Sequence, residues 1–233
     1  MIEWLNKTVS EQYKLVRVLR SSGKSDIQVL RHKTLDKDIV KRVFEGDGDV
    51  YRILQGISHP NIPHVYEVIT DGLFTIVLEE YINGITISDE LQDKVYSEKA
   101  TRVIVNDLCS ALAALHSLGI IHRDIKPENV MINIDGIVKL IDFDTARLFK
   151  AYKSGDTSVI GTTGFAAPEQ FGISQSDERT DIFSIGILMN VMLTGEHPSK
   201  NLYNGKLSGV IEKCTQIDPN KRYSNALSLA KEL

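Results

Sequence analysis

The sequence predicts an α+β protein in which a small strand-rich part precedes a larger helical part. Residues 13–82 form short runs with strand periodicity between polar turns, and from residue 97 apolar side chains recur at helical spacing. The 233 residues are 42% hydrophobic and 25% charged, which is typical of a globular chain and excludes disorder throughout. We therefore expect two domains, 1–82 and 83–233, with a hinge near residues 83 and 84.

The predicted strands of the first part are marked by their turns. Residues 13–19 and 27–31 are separated by a polar turn at 20–25, and alternation over residues 39–43 indicates a third strand. Two further strands, 65–70 and 74–80, flank an Asp-Gly pair, which is a strong hairpin signal. One helix, with the predicted range 50–57, is expected between the third and the fourth of these strands.

The second part is predicted to be mainly helical. Ser97 is a good N-cap for a helix with an apolar stripe that ends near Gly119. The nearly continuous apolar run 181–193 predicts a buried helix that ends before a glycine and a proline. A second hairpin and two short helices complete this part, with predicted ranges 130–134, 137–141, 209–215 and 224–233.

Charge and cysteine content narrow the class of protein. The net charge of −4 argues against a dedicated nucleic-acid binder. Cys109 and Cys214 lie far apart without metal-ligand spacing, so a reducing compartment is favoured over a disulfide scaffold. No run is apolar enough to span a membrane, and the first 13 residues lack the apolar core of a signal peptide. We expect a cytoplasmic protein, or a cytoplasmic part of a longer one, whose oligomeric state the sequence leaves open.

Residue types that carry chemistry concentrate at residues 122–129, which read His-Arg-Asp-Ile-Lys-Pro-Glu-Asn. Eighteen residues after Asp124, Asp142 follows a predicted strand. Two acids and an amide brought together by a hairpin suit a divalent cation with hard oxygen ligands. Lys126, close to Asp124, suits a phosphoryl group that carries negative charge during its transfer.

This cluster resembles the catalytic loop of eukaryotic-like (Hanks-type) serine/threonine protein kinases, which include bacterial members. The H-R-D-x-x-x-x-N pattern is complete at 122–129, and residues 167–169 match the A-P-E sequence. Residues 161–165 resemble the segment that receives substrate, and residues 218–222 resemble D-P-x-x-R. The resemblance covers residues 13–233 and implies a bilobal kinase fold. A β-rich N-lobe would span 1–82, and a mainly helical C-lobe would span 83–233.

The resemblance implies roles for the residues of the catalytic loop. Asp124 would orient the substrate hydroxyl and accept its proton, while Lys126 would neutralise the γ-phosphate, as is typical of serine/threonine specificity. Asn129 and Asp142 would hold Mg²⁺, with Mn²⁺ as an alternative, against the phosphates of ATP. The substrate would be a protein hydroxyl.

Other matched positions imply structural or regulatory roles. Arg123 would await a phosphate on the activation segment, and Thr162 would contact the catalytic pair. Candidate phosphorylation sites on that segment are Ser154, Thr157 and Ser158; the alternative is an ordinary solvated loop. Structural support would come from a Glu169–Arg222 pair and from Asp181, which would open the helix buried beneath the catalytic loop.

The resemblance also implies contacts with the nucleotide. Lys41 aligns with the strand lysine of V-A-I-K and would bind the α- and β-phosphates. The backbone from Glu80 to Ile82 would pair with adenine. Residues expected to sandwich the base are Ile27, Ile39 and Met131, although plain core packing is an alternative for them.

Two departures from the family pattern concern ATP binding. The glycine-rich loop maps onto residues 20–25, where the expected glycines are absent. Side chains there, including Ser22 and Lys24, could donate to phosphate instead; the alternative is a plain hairpin turn without nucleotide contact. The αC helix has Val50 where its glutamate is expected. A carboxylate at Glu79, the gatekeeper position, leads to the hypothesis that it pairs with Lys41; the alternative is that Glu79 faces solvent.

A third departure is Asp144, which stands where the D-F-G sequence has glycine and could cap local backbone donors. The leading functional hypothesis is an ATP-dependent serine/threonine protein kinase that also phosphorylates itself. The alternative is a pseudokinase that serves as a nucleotide-binding or scaffolding module. A small-molecule phosphotransferase is a third reading, which the A-P-E and D-P-x-x-R matches disfavour.

Overall fold

The structure is a computed structural model that describes residues 2–22, 25–149, 162, 164–171 and 175–233. The chain divides into two compact units. The N-terminal unit comprises Met1–His59 and Pro63–Ile82, and the C-terminal unit comprises Pro60–Ile62 and Asn83–Leu233. The first unit is built mainly of strands and the second mainly of helices, so the predicted α+β class is confirmed.

A five-stranded antiparallel sheet forms the N-terminal unit, with the strand order β1-β2-β3-β5-β4. All five strands were predicted, and the helix expected near residue 50 is present but short. The bounds are α1 Ile2–Gln12, β1 Tyr13–Ser22, β2 Ser25–His32, β3 Asp38–Glu45, α2 Asp49–Gln55, β4 Val65–Asp71 and β5 Phe74–Glu80.

One face of this sheet is covered by α1, a helix that the sequence analysis did not predict. Val9 of α1 is buried in a cluster with apolar side chains of the sheet, among them Ile39 and Ile76. The last carbonyls of the helix accept hydrogen bonds from Lys33, whose Nζ lies 2.8 Å from the carbonyl oxygens of Ser10 and Glu11. These bonds satisfy acceptors that the end of a helix leaves without partners inside the helix.

The opposite face of the sheet packs against α2. Tyr51 and Leu54 of this helix are each only 1% exposed. The N-cap residue of the helix is Gly48, whose φ of 69° lies in the left-handed region. A side chain there would bring a Cβ within 2.6 Å of Thr75 Cγ2. Glycine is therefore required at this position, and the glycine-rich run 46–49 leads directly into a helix.

The described part of the C-terminal unit contains two small sheets, five α-helices and three short 3-10 helices. The three-stranded sheet has the order β6-β8-β9, and β7 pairs with β10. The bounds are β6 Gly84–Thr86, α3 Ile87–Glu90, α4 Glu98–Ser117, β7 Ile120–Ile121, β8 Val130–Asn133, β9 Val138–Leu140, β10 Arg147–Leu148, α5 Glu178–Thr194, α6 Ser208–Cys214 and α7 Ala226–Ala230.

The long helices begin where capping side chains allow them to begin. Ser97 caps α4 as predicted and accepts a hydrogen bond from the backbone N–H of Ala100 at 3.2 Å. Helix α5 starts three residues before the predicted position because Asp177 and Thr180 form a capping box. Within the described ranges, no helix is long and apolar enough to cross a membrane.

Candidate active site

The catalytic-loop residues 122–129 join β7 to β8, and buried Asp181 at the start of α5 fixes their backbone. Its carboxylate accepts the backbone N–H groups of His122 at 3.0 Å and Arg123 at 2.8 Å. His116 Nε2 lies 2.8 Å from the same carboxylate. Arg123 has a φ of 71°, which is unfavourable for a residue with a side chain. The two bonds to Asp181 therefore hold a turn that the backbone would not adopt readily by itself.

Asp124 lies at the centre of a compact hydrogen-bonded cluster. Lys126 Nζ is 2.8 Å from its Oδ2, and Asn129 Nδ2 donates to the same oxygen at 2.9 Å. Thr162 Oγ1 donates to the other carboxylate oxygen at 2.6 Å and accepts from Lys126 Nζ at 2.7 Å. The structure thus brings together four residues that the sequence analysis singled out. In this cluster the carboxylate of Asp124 lies beside one cation, the ammonium group of Lys126.

The electrostatics of this cluster keep Asp124 ionised. Burial alone would raise its pKa, but hydrogen bonds from Lys126 and Thr162 outweigh burial and hold the pKa below the ordinary value for an aspartate. The neighbouring His122 is fully buried, and burial lowers its pKa. His122 is therefore neutral near pH 7, and its ring packs edge-on against Phe143 with 5.1 Å between the centroids.

The two expected metal ligands are on neighbouring segments. Ile141 N–H donates to the carbonyl of Asn129 at 2.9 Å, which fixes Asp142 one residue further along the chain. The amide nitrogen of Asn129 donates to Asp124, so its amide oxygen is directed away from that carboxylate. An amide oxygen and a carboxylate are ligands that Mg²⁺ accepts. The donor chemistry of these two residues therefore fits the expected cation.

Asp144 contributes its backbone to the turn after Asp142. Its N–H donates to Asp142 Oδ1 at 3.4 Å. Asp142 itself has a φ of 66°. Aspartate tolerates this left-handed conformation better than most residues do, partly because its side chain can bond locally. The turn thus fixes the orientation of the Asp142 carboxylate, which also accepts the backbone N–H of Asp144.

A buried ion pair stabilises the segment that contacts the catalytic loop. Arg222 Nη1 and Nη2 donate to the two carboxylate oxygens of Glu169 at 2.7 and 3.0 Å, as the sequence analysis expected. Thr180 adds a hydrogen bond to Glu169 at 2.9 Å. The next residue, Gln170, donates to the carbonyl of Arg123 at 2.8 Å. Gln170 and His116 could not be identified from the sequence, because nothing in the chain indicates their partners.

In the N-terminal unit, the cation beside Glu79 is Arg42, which directly follows the expected Lys41 in the sequence. Lys41 and Arg42 are consecutive residues of β3, so their side chains point to opposite faces of the sheet. In the register with β5, Lys41 pairs with Leu78 and Arg42 pairs with Val77. The guanidinium of Arg42 lies 3.2 and 3.3 Å from Glu79 Oε1. Arg42 therefore takes the place expected for Lys41 beside Glu79. Glu79 is 6% exposed, so the solvent-facing alternative is not observed.

The same alternation separates the expected adenine contacts. Ile27 lies opposite Arg42, whereas Ile39 lies opposite Leu30 in the cluster on the α1 face. These two residues therefore do not share a face of the sheet, contrary to expectation. Met131, in β8, pairs with Thr86 and is partly buried in the C-terminal unit.

The expected hinge backbone is partly engaged inside its own unit. The N–H of Glu80 donates to the carbonyl of His64 at 2.8 Å. Its side chain accepts the N–H of His64 at 3.0 Å. Ile82 is buried, with 7% of its surface exposed. These contacts fix the position of the segment that precedes the C-terminal unit.

Strands β1 and β2 carry the described residues of the segment that replaces the glycine-rich loop, and they pair as far as Ser22 and Ser25. Lys24 lies outside the described residues, as do the candidate phosphorylation sites Ser154, Thr157 and Ser158.

Comparison with known proteins agrees with this geometry. The protein kinase domain family model matches residues 29–233. The chain belongs to the protein kinase family. It is 32% identical to the serine/threonine-protein kinase PknB of Mycolicibacterium smegmatis over 82% of this chain and 33% of that protein. It is 27% identical to a probable serine/threonine-protein kinase of Clostridium perfringens over 98% of the chain and 39% of the relative.

A third relative is the serine/threonine-protein kinase PrkC of Bacillus subtilis. It is 24% identical over 98% of this chain and 41% of its own length. The kinase domain thus spans between 33% and 41% of the length of these three relatives. Membership of the family confirms the bilobal kinase fold that the resemblance implies.

Proposed function

We propose that this kinase domain transfers the γ-phosphate of ATP to serine or threonine hydroxyls of proteins. The observation that carries the proposal is the cluster around Asp124. Its carboxylate is ionised, and Lys126 and Thr162 hold both of its oxygens. Such a group can orient a substrate hydroxyl and accept its proton, while the ammonium of Lys126 stabilises the transferred phosphoryl group.

Asn129 and Asp142 would hold Mg²⁺, which supplies positive charge to the phosphates of bound ATP. The names of the relatives support the same activity and the same serine/threonine specificity. We further propose that the domain phosphorylates its own activation segment and that it works in the cytoplasm. Two reduced, buried cysteines are consistent with that compartment.

The test is transfer of labelled γ-phosphate from ATP to a generic protein substrate, with and without a chelator of divalent cations. Asp124→Asn should lower kcat by about 100- to 10,000-fold, because it removes a proton acceptor in the transition state. Asp135→Asn, at an exposed hairpin, is the matched control and should retain activity. Phosphoamino acid analysis should find phosphoserine or phosphothreonine.

The same assay separates a kinase from a pseudokinase. If the wild-type domain binds nucleotide but transfers no more phosphate than Asp124→Asn does, the proposed activity is refuted. The scaffolding alternative would then stand.

A further inference from the structure

The most unusual feature of the N-terminal unit is a buried ion pair between neighbouring strands. Arg42 lies in β3 and Glu79 in β5, two positions apart on the same face of the sheet, since Val40 pairs directly with Glu79. The two side chains are only 5% and 8% exposed. The guanidinium also lies 5.9 Å from the ring centre of Tyr51, within the range of a cation–π contact.

Protein kinases ordinarily place a strand lysine against a glutamate of the αC helix, and activation depends on that helix being in position. Helix α2 cannot supply this partner. Its sequence, Asp-Val-Tyr-Arg-Ile-Leu-Gln, contains a single acid, Asp49, in its first turn. The Asp49 side chain is 57% exposed and pairs with Arg52 of the same helix at 2.8 Å.

We propose that the Arg42–Glu79 pair replaces the lysine–glutamate pair, so that a carboxylate of the sheet, and not one of α2, positions the cation which the N-terminal unit offers to the phosphates of ATP. This inference rests on the proposed function. Arg42 would contact the phosphates, and Glu79 would be a positioning residue that acts through Arg42.

Three physical arguments support the replacement. A buried carboxylate is costly unless a cation or hydrogen-bond donors compensate it, so Glu79 strongly favours the conformation that brings Arg42 to it. Both residues lie on strands joined by a continuous hydrogen-bonded ladder. The cation and the carboxylate of this pair are therefore brought together when the two strands pair, without an acid from α2. An arginine also stays protonated when buried and presents a planar fork of donors that matches phosphate oxygens.

The experiment compares the affinities of the 233-residue chain for Mg-ATP and for adenosine, measured by calorimetry. Arg42→Met should weaken ATP binding by about ten- to a hundredfold, the loss expected for a charge-assisted hydrogen bond, and should leave adenosine binding unchanged. Lys41→Met removes the neighbouring cation on the other face and should leave the ratio of the two affinities as it is. If Lys41→Met loses the preference for ATP over adenosine and Arg42→Met keeps it, the proposal is overturned.

A second matched comparison tests the positioning role. Glu79→Gln should weaken ATP binding relative to adenosine and raise the KM for ATP more than it lowers kcat. Asp49→Asn removes the only acid of α2 and should do neither. If Asp49→Asn changes the ATP-to-adenosine ratio and Glu79→Gln does not, the cation is positioned from the helix and the inference is wrong.

The folding of each variant is measured separately from its nucleotide binding. Circular dichroism and the thermal midpoint report whether each variant is folded. If Arg42→Met does not fold, Arg42→Lys, which keeps the charge, should partly retain the preference for ATP; equal binding of ATP and adenosine by a folded Arg42→Lys would count against the proposal.

Because the readout is binding, a domain that prefers ATP through Arg42 but transfers no phosphate would refute only the proposed function. A wild-type domain that transfers phosphate, while Arg42→Met and Glu79→Gln bind ATP normally, would refute only this inference.

Discussion

Removing Arg222 should destabilise the C-terminal unit far more than removing a partly exposed arginine. Arg222 is completely buried at the side chain, and its partner Glu169 is 4% exposed. Besides the two bonds to Glu169, the guanidinium donates to the carbonyls of three residues at 2.7 to 3.1 Å; these acceptors belong to Gln216, Ile217 and Arg179. Arg222→Met would leave a buried carboxylate without its cation and three carbonyls without this donor.

Breaking a buried pair by removing one partner costs about 3–5 kcal/mol. For a chain of this size, about 2–4 °C of thermal midpoint is lost for each kcal/mol. We therefore expect Arg222→Met to lower the midpoint by about 6–20 °C. The measurement is thermal unfolding followed by circular dichroism at 222 nm, which reports mainly the helices of the C-terminal unit.

The matched control is Arg179→Met in the same unit. Arg179 pairs with Asp177, and the two side chains are 29% and 26% exposed, so solvent screens the interaction. Such a pair is worth about 0–1 kcal/mol. If Arg222→Met is no more destabilising than Arg179→Met, burial does not set the strength of the Glu169–Arg222 pair, and the reasoning is refuted.

A double-mutant cycle sharpens the test. Adding Glu169→Gln to Arg222→Met removes the stranded charge, so the double variant should be more stable than the sum of the two single losses predicts, by about 0.5–3 kcal/mol. It should not regain wild-type stability, because the backbone carbonyls still lack the guanidinium. Strict additivity of the two losses would show that the two side chains do not interact.

Three further outcomes follow from the same structure. Thr162→Val removes a donor to Asp124, so the pKa of that carboxyl should rise and the acid limb of the pH–rate profile should move to higher pH; an unmoved limb would contradict the assigned hydrogen bond. Val9→Asp should lower the free energy of unfolding in urea by about 3 kcal/mol or more, because it places a carboxylate among apolar side chains; a neutral effect would mean that α1 is not part of the N-terminal core. Burial raises the pKa of Cys109 to about 12 and that of Cys214 further, so both thiols should react with a disulfide reagent at pH 8 only as fast as the unit opens, and rapid reaction in the native state would show the burial to be wrong.

The sequence predicts the C-terminal site better than the N-terminal one for a physical reason. The residues around Asp124 lie close together along the chain, so a short motif fixes their separation in space. Asp142 is brought in by a tight hairpin, whose geometry is also local. Thr162 and Asp181 come from far along the chain, and the family pattern indicates both positions, whereas no pattern indicates Gln170, which donates to the carbonyl of Arg123.

The error at Lys41 has a different origin. Lys41 and Arg42 are adjacent cations, and an alignment by residue type favours the lysine. Which of them faces Glu79 depends on the register between β3 and β5, and a shift of one residue moves every side chain to the opposite face. Register is a long-range property, so the strand pattern alone could not decide it. Helix α1 was missed for a similar reason, because its support comes from Lys33 and from strands that follow it.

Three of the buried carboxylates share one structural principle, although they lie in different places. Asp181 accepts backbone N–H groups of the catalytic loop, Glu169 binds Arg222, and Glu79 binds Arg42. Each joins segments that are separated by at least 37 residues, and each would be costly to bury with its partner displaced. Alternative packings of these segments are therefore penalised at three points. For Glu79 the consequence differs from that in the other two, because its partner Arg42 lies on a strand of the same sheet, so the ion pair constrains the sheet itself.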